Sequence, residues 1–310
     1  MTSQTVSAPA PLRLGIVGCA PFTHGRMWAE QWQREPEHGL IAARLWDDDP
    51  AIAGQLAERL GASVADSPDA VADDCDGILI TVLDADRYLE LVRPHLLAGR
   101  RVFLNRPLAG NLGDAREILA LAEAHGARVY SASALLHTHA AERIRAVLAE
   151  LGELRFFSVT GPTDTADWYL PHLFACLAGT LGCGLARVLH ADLPCIDGDP
   201  HRLSGPAIVS VEYGQDAAIG PVRGVLALVG PGSDWYGFTL KLYGSLGISQ
   251  DLEFDVGYGL MFAAMRDFFA TGAEPLPRAL MLEQTAAHYA VLRAAREGGP
   301  AEIDPQGARP

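Results

Sequence analysis

Leu12-Arg13-Leu14-Gly15-Ile16-Val17-Gly18-Cys19-Ala20-Pro21-Phe22-Thr23-His24-Gly25 decides how this 310-residue chain is read. A short apolar run, Leu12–Val17, ends at Gly18, and Thr23 stands as an N-cap before a helical pattern over Gly25–Arg34. Strand, Gly-led turn and helix start form the context in which backbone N–H groups and a helix dipole hold a pyrophosphate. The G-x-G-x-x-G spacing is incomplete. Gly18 is in place, but Ala20 and Thr23 occupy the second and third glycine positions, and the Ala20 methyl stands where a diphosphate would approach the backbone. Taken alone, the turn fits a plain βα connection as well as a nucleotide cradle. Phe22 and His24 belong to the same turn, where His24 either reaches a phosphate or faces solvent.

Working outward, apolar runs recur at Leu40–Trp46, Gly77–Val82, Arg101–Leu104 and Ala127–Ser131. Between them lie helical patterns over Ala51–Leu60, Asp86–Ala98 and Leu112–His125, with Gly99 and Gly126 closing the last two. Continuous apolar strands alternating with helices predict a doubly wound, Rossmann-like parallel sheet covered on both faces, an α/β domain over 12–131. From about residue 150 the grammar changes. Strand patterns over Glu153–Gly161, Ala186–Ala191, Ala207–Tyr213, Val222–Val229 and Phe238–Tyr243 follow one another through Gly/Pro/Asp turns. Helices are expected over Pro171–Thr180, Gly257–Thr271 and Arg278–Glu297. This predicts an α+β domain with a mainly antiparallel open sheet over 132–299. Residues 1–11 and 300–310 are expected as loose tails, and MTSQTVSAPAP lacks the basic and apolar regions of a signal peptide.

Composition narrows the function classes. Lys+Arg 24 against Asp+Glu 38 gives a net charge of −14, with no basic cluster, which argues against nucleic acid and anionic membrane surfaces. The longest uncharged run, Leu173 to Ala186, is too short and Gly-broken to span a bilayer. Five cysteines with no C-x-x-C point to reduced thiols and a cytoplasmic location. Lys241 is the sole lysine, so any amine chemistry has one candidate.

The second strand strengthens the nucleotide reading. In Trp46-Asp47-Asp48-Asp49-Pro50, Asp47 stands at the strand end at about the right distance from Gly18 to accept from both ribose hydroxyls. Three carboxylates with no neighbouring arginine would repel a 2′-phosphate, so NAD is favoured over NADP; the alternative is a solvated acidic turn.

The segments Leu14–Gly18, Asp47–Pro50, Asp76–Leu83, Gly99–Leu108 and Pro275–Gly298 together resemble the glucose–fructose oxidoreductase/inositol dehydrogenase/rhizopine catabolism (Gfo/Idh/MocA) family. The resemblance implies an NAD-binding N-terminal domain, with Val82 and Asn105 among the cofactor positions. It also implies a C-terminal domain carrying the substrate pocket and, on its open sheet, a homodimer or homotetramer interface. The family's Glu-Lys-Pro motif falls on Asn105-Arg106-Pro107, so its lysine is an arginine here. His172 fits the family's catalytic histidine, but Asp167 lies five residues before it, not four, and Ala175 replaces a later acid.

Arginine remains protonated in proteins, so Arg106 is expected to polarise or clamp the substrate and His172 to move the proton, with Asp167 orienting it. Arg106 as a plain ion-pair partner and His172 as a capping or core residue are the structural alternatives. Trp168, Tyr169 and His137 are expected to touch substrate, or else to belong to the core. Asp197, Asp199 and His201 lie in turn composition, and no metal site is expected. The leading reading is an NAD-dependent oxidoreductase for a small polyhydroxylated or carboxylated compound, sugar-, cyclitol- or natural-product-like. A redox-neutral NAD-using lyase or hydrolase and a non-catalytic NAD-binding regulator are the competing readings.

Overall fold

The computed structural model describes residues 10–163, 165–233, 237–254 and 257–306. Of the expected tails, 1–9 and 307–310 lie outside the described residues. The chain forms two compact units. The first comprises the chain up to Asn105, Glu117–Tyr130 and Phe262–Pro275; the second comprises Arg106–Arg116, Ser131–Met261 and the chain from Leu276.

In the first unit β1 (Leu12–Val17), α1 (His24–Arg34), β2 (Leu40–Trp46), α2 (Pro50–Leu60), β3 (Ser63–Val64), β4 (Gly77–Ile80), α3 (Tyr88–Leu97), β5 (Arg101–Leu104), α4 (Leu112–Ala124) and β6 (Arg128–Ser131) build a six-stranded sheet of order β3-β2-β1-β4-β5-β6. The pairs of β1 with β2 and β4, of β4 with β5 and of β2 with β3 are parallel. The strand order reverses beside β1, and in such sheets ligands bind at that switch point, outside the carboxyl ends of the strands. The runs are apolar because both faces are covered: Leu14, Ile16, Val17, Ile78, Leu79 and Ile80 are fully buried.

The second unit holds α5 (His139–Val147), β7 (Leu154–Gly161), α6 (Ala166–Thr180), β8 (Leu185–Asp192), β9 (Cys195–Ile196), β10 (Asp199–Leu203), β11 (Ala207–Tyr213), β12 (Arg223–Leu228), β13 (Phe238–Gly244), β14 (Ile248–Phe254), α8 (Arg278–Glu297) and β15 (Ala301–Glu302), with α7 (Gly259–Thr271) between β14 and α8 in the chain. Its seven-stranded sheet runs β14-β13-β7-β12-β11-β8-β15, antiparallel throughout except for the β7–β12 pair. Along β7, Phe157 and Val159 are buried, toward the face that α6 and α8 cover, while Phe156, Ser158 and Thr160 remain partly exposed. This is the alternation a half-covered sheet requires.

Three differences from the sequence expectations have physical reasons. The end of the chain is not loose from residue 300, because Ala301–Glu302 adds an edge strand to β8. The helix expected from Pro171 begins at Ala166, one turn earlier, so a proline that reads as a helix start sits inside α6. Most of α7 belongs to the first unit. Phe262 packs edge-on to Trp28 and Trp32 at ring-centroid distances of 6.2 and 5.6 Å, and a Cβ on Gly77 would lie 2.1 Å from the Phe269 ring.

Candidate active site

The nucleotide side is built in the first unit from the loops after β1, β2 and β4. Gly18 has φ +97°, and a Cβ there would lie 2.5 Å from the Val82 nitrogen, so only glycine fits. Its carbonyl is held by the Thr81 hydroxyl at 2.9 Å. The helix that follows starts at His24, and Gly25 performs the close helix–strand packing that Thr23 was expected to replace: a Cβ there would meet Thr81 Oγ1 at 2.3 Å. Thr23 is instead the N-cap, its hydroxyl 2.8 Å from the Ala20 carbonyl and accepting from Arg26 N at 3.4 Å. The first turn of α1 carries no acid, so its positive dipole end is uncompensated by the helix itself.

Asp47 accepts from Cys19 N at 2.6 Å and from Asp49 N at 3.2 Å, which ties the end of β2 to the Gly18 turn. Asp49 caps α2 through Ala51 N at 2.9 Å. Asp48 forms a bidentate pair with Arg87 from the loop after β4, with Nη2 donating to Oδ1 at 3.0 Å. The hydrogen bonds from Arg87 hold the Asp48 carboxyl below its usual range. The sequence expectation that no arginine stands near this acidic turn is therefore corrected, since a residue 39 positions away folds onto it. Phe22 has φ 69° and is 87% exposed, whereas the His24 ring lies 4.8 Å from that of Trp28. Val82 and Asn105 are buried; the Val82 carbonyl accepts from the Tyr88 hydroxyl and Asn105 N donates to the Ile80 carbonyl, at 3.1 and 3.0 Å. Burial pushes the Cys19 thiol up to about 12, which keeps it protonated. A glycine turn that no Cβ would fit, an uncompensated helix end and an acid after β2 suit a dinucleotide.

The substrate-side candidates lie in the second unit. Arg106 Nη2 is 2.7 Å from His172 Nε2, and Ser133 Oγ is 2.6 Å from His172 Nδ1. A guanidinium only donates, so Nε2 accepts, the ring proton sits on Nδ1, and Nδ1–H donates to Ser133. Ser133 is buried and also accepts from Leu135 N at 3.2 Å. The imidazole packs against Tyr169 and Phe238, at ring-centroid distances of 5.3 and 5.7 Å. Beside Arg106 opens a small cleft whose lining includes Ser131, Pro171, Met281, Gln284 and Thr285.

Asp167 does not orient His172. Residues five apart on a helix point about 140° apart, whereas four apart would nearly align. The Asp167 carboxylate faces His288 Nε2 at 3.0 Å and His201 Nε2 at 3.5 Å. Burial raises the Asp167 pKa, but the hydrogen bond and charge of His288 and the charge of His201 outweigh it, and the net shift is downward. Trp168 is 44% exposed, with its ring 5.6 Å from that of His201. Burial, then the Arg145 charge, lowers His137 to about 4, so it is neutral at physiological pH. Among the described residues no group of three or more His, Cys, Asp or Glu could hold a metal ion. Sequence reasoning missed Ser133 and His288. Ser133 looked like ordinary strand-end composition, and His288 like a core position of an amphipathic helix, where it is indeed fully buried.

A six-stranded sheet with its switch point at a Gly-led turn defines a Rossmann-type dinucleotide-binding protein. Residues 12–133 match the family described as an oxidoreductase family with an NAD-binding Rossmann fold. Over that segment the chain is similar to the Gfo/Idh/MocA family. A curated relative, dTDP-3,4-didehydro-2,6-dideoxy-alpha-D-glucose 3-reductase of Actinomadura kijaniata, is 28% identical over 156 residues, 48% of this chain and 45% of that protein. The chain thus spans about half the length of the curated relatives it matches. Among solved structures, a probable dehydrogenase from Thermotoga maritima superposes with TM-score 0.76 at 15% identity, covering 94% of this chain and 99% of the other. An oxidoreductase from Agrobacterium radiobacter, in complex with NAD+, L-tartaric acid and magnesium, gives TM-score 0.73 at 15% identity over 95% and 99% of the two chains. At these identities the likeness shows the fold.

Proposed function

We propose that this chain is an NAD-dependent oxidoreductase acting on a small polyhydroxylated or carboxylated compound of sugar, cyclitol or natural-product type. The observation that carries the reading is the array Arg106–His172–Ser133, a permanent cation beside a histidine whose tautomer is set by its neighbours. Oxidation of a secondary alcohol releases a hydride from carbon and a proton from oxygen. A bound NAD would supply the hydride acceptor, while His172 Nε2 takes the proton and Arg106 binds the substrate and stabilises the oxygen as negative charge develops. Asp47 supports NAD over NADP, since Asp48 already occupies the Arg87 guanidinium. Phe22, Thr23 and His24 at the Gly18 turn, with Val82 and Asn105, complete the proposed cofactor surface, and Trp168, Tyr169 and His137 the proposed substrate surface.

A panel of cyclitols, sugars and sugar acids, assayed for NADH formation and for carbonyl product in equal amounts, tests this reading. Replacing His172 by Ala is expected to reduce kcat by about 10²–10⁴; unchanged turnover overturns the assignment. Products forming without net NADH would favour the redox-neutral alternative, which the arginine on His172 Nε2 keeps in play. The same proposal places the protein in the cytoplasm as a homodimer or homotetramer through the open face of the seven-stranded sheet. Phe156 and Tyr243 stand side by side there, rings 5.7 Å apart, with Lys241 over the Tyr243 ring at 5.5 Å. Light scattering on Phe156→Glu, expected to lower the mass to that of a smaller assembly, checks it. Among the described residues no helix is long and apolar enough to cross a membrane.

A further inference from the structure

We infer that Asp48 stands in for a 2′-phosphate: its carboxylate fills the Arg87 guanidinium that would otherwise bind NADP, so that this pair, and not Asp47 alone, sets the preference for NAD. The inference rests on the dinucleotide reading of the Gly18 turn and names the residues that decide which dinucleotide enters.

The pair joins the two loops that flank the Gly18 turn. Strands β2 and β4 both pair with β1, on its opposite edges. Asp48 follows β2 and Arg87 lies in the loop after β4, so their contact crosses the carboxyl end of β1. Arg87 Nη1 donates to Asp48 Oδ2, and Nη2 donates to Oδ1 at 3.0 Å. A guanidinium grips a phosphate through the same two-pronged fork that here holds a carboxylate. Neighbouring Asp47 is engaged differently. Its Oδ2 accepts from Cys19 N at 2.6 Å and its Oδ1 from Asp49 N at 3.2 Å, which leaves each oxygen capacity for a ribose hydroxyl. A phosphate esterified to a ribose held there would arrive one residue from Asp48, within the reach of Arg87. To bind, it must displace a carboxylate that the chain holds permanently at the guanidinium, at high local concentration. The charges of Glu90 and Asp84 also act on Arg87, so a dianion meets further acids as it approaches. Arg26 bears on the same turn through Cys19, but its Nε is paired with Glu30 at 3.3 Å. The Asp48 and Arg87 side chains are 59% and 33% exposed, and ion pairs at such positions add little to folding stability, so the pair can be taken apart in a folded chain.

Titrations of NADH and of NADPH, followed by nucleotide fluorescence at fixed ionic strength, test the inference without turnover. The quantity read is the ratio of the two dissociation constants in the parent, Asp48→Ala, Arg87→Met and the double variant. The parent is expected to favour NADH by about tenfold or more. Asp48→Ala frees the fork and is expected to move the ratio toward NADPH by about tenfold or more. Arg87→Met leaves the Asp48 charge uncompensated and is expected to move the ratio further toward NADH. The double variant removes a pair that is neutral as a whole, and its ratio is expected to return close to the parent's. Saturable NADH binding in each variant shows that it is folded. The inference is overturned if the parent binds NADPH as tightly as NADH, or if Asp48→Ala leaves the ratio unmoved. It is equally overturned if the double variant keeps the whole gain of Asp48→Ala, because relief of repulsion, or Arg26, then accounts for the gain without Arg87. Failure of both nucleotides to bind the parent refutes the dinucleotide reading and the inference with it, whereas NADH binding with an unmoved ratio refutes the inference alone.

Discussion

Ser133 contributes a single oxygen, yet it fixes which nitrogen of His172 carries the proton. Removing it strands the Nδ1–H in a half-buried position, and an unsatisfied donor of that kind costs about 1–3 kcal/mol. Under the proposed mechanism Ser133→Ala should lower kcat about tenfold or more with little change in KM, and Ser133→Thr should restore most of it; equal loss in both variants would leave Ser133 a packing residue. Asp167 carries a different consequence. Its pKa lies below the ordinary 3.8 in the folded state, so its contribution to stability is present above that value and lost as pH falls through the lower folded value. Acid unfolding monitored by circular dichroism should therefore be shallower below about pH 4 in Asp167→Asn than in the parent. The residue types at 106 and 172 were legible in the sequence. Their direct contact was not, because 66 positions separate them and nothing in either local pattern reports the other.

At the scale of elements, α1 shows why a motif can be absent while its work is done. The third glycine of a dinucleotide turn lets helix and strand approach closely, and here Gly25 does so two residues later than the spacing demands. Gly25→Ala would drive a methyl into Thr81, whose hydroxyl also holds the Gly18 carbonyl. The variant is expected to lose about 1–3 kcal/mol in urea unfolding and to bind NADH more weakly by fluorescence titration. In α6 the proline at 171 hid a helical turn from the sequence reading. That turn carries Asp167, Trp168 and Tyr169, and its phase sends Asp167 to His288 and His201 and away from His172. Strand–helix alternation was readable because burial on both faces writes itself as unbroken apolar runs. The short edge strands β3 and β15 were not, since two residues carry no period.

For the whole molecule, the two-sheet architecture followed from a change of grammar near residue 150, but the membership of each unit did not. Pattern reading assigns a helix by its own apolar stripe and is silent on which core receives it. Phe262, Phe268 and Phe269 are fully buried and belong with Trp28, Trp32 and Phe103. Phe262→Ala should cost about 3–5 kcal/mol, measured by denaturant midpoint, as expected of a core aromatic.

That return of the chain has a practical consequence. The dinucleotide half cannot be excised as one continuous piece: a fragment ending at residue 131 would lack Phe262–Pro275 and bare the tryptophans they cover. Such a fragment should bind hydrophobic dyes and fail to hold NADH, while adding back a peptide spanning 257–275 should restore a folded signal. On this reading nucleotide binding depends on two distant stretches of the chain brought together, and truncations from the carboxyl side that remove Phe262–Pro275 are expected to abolish it well before they reach the proposed cofactor residues.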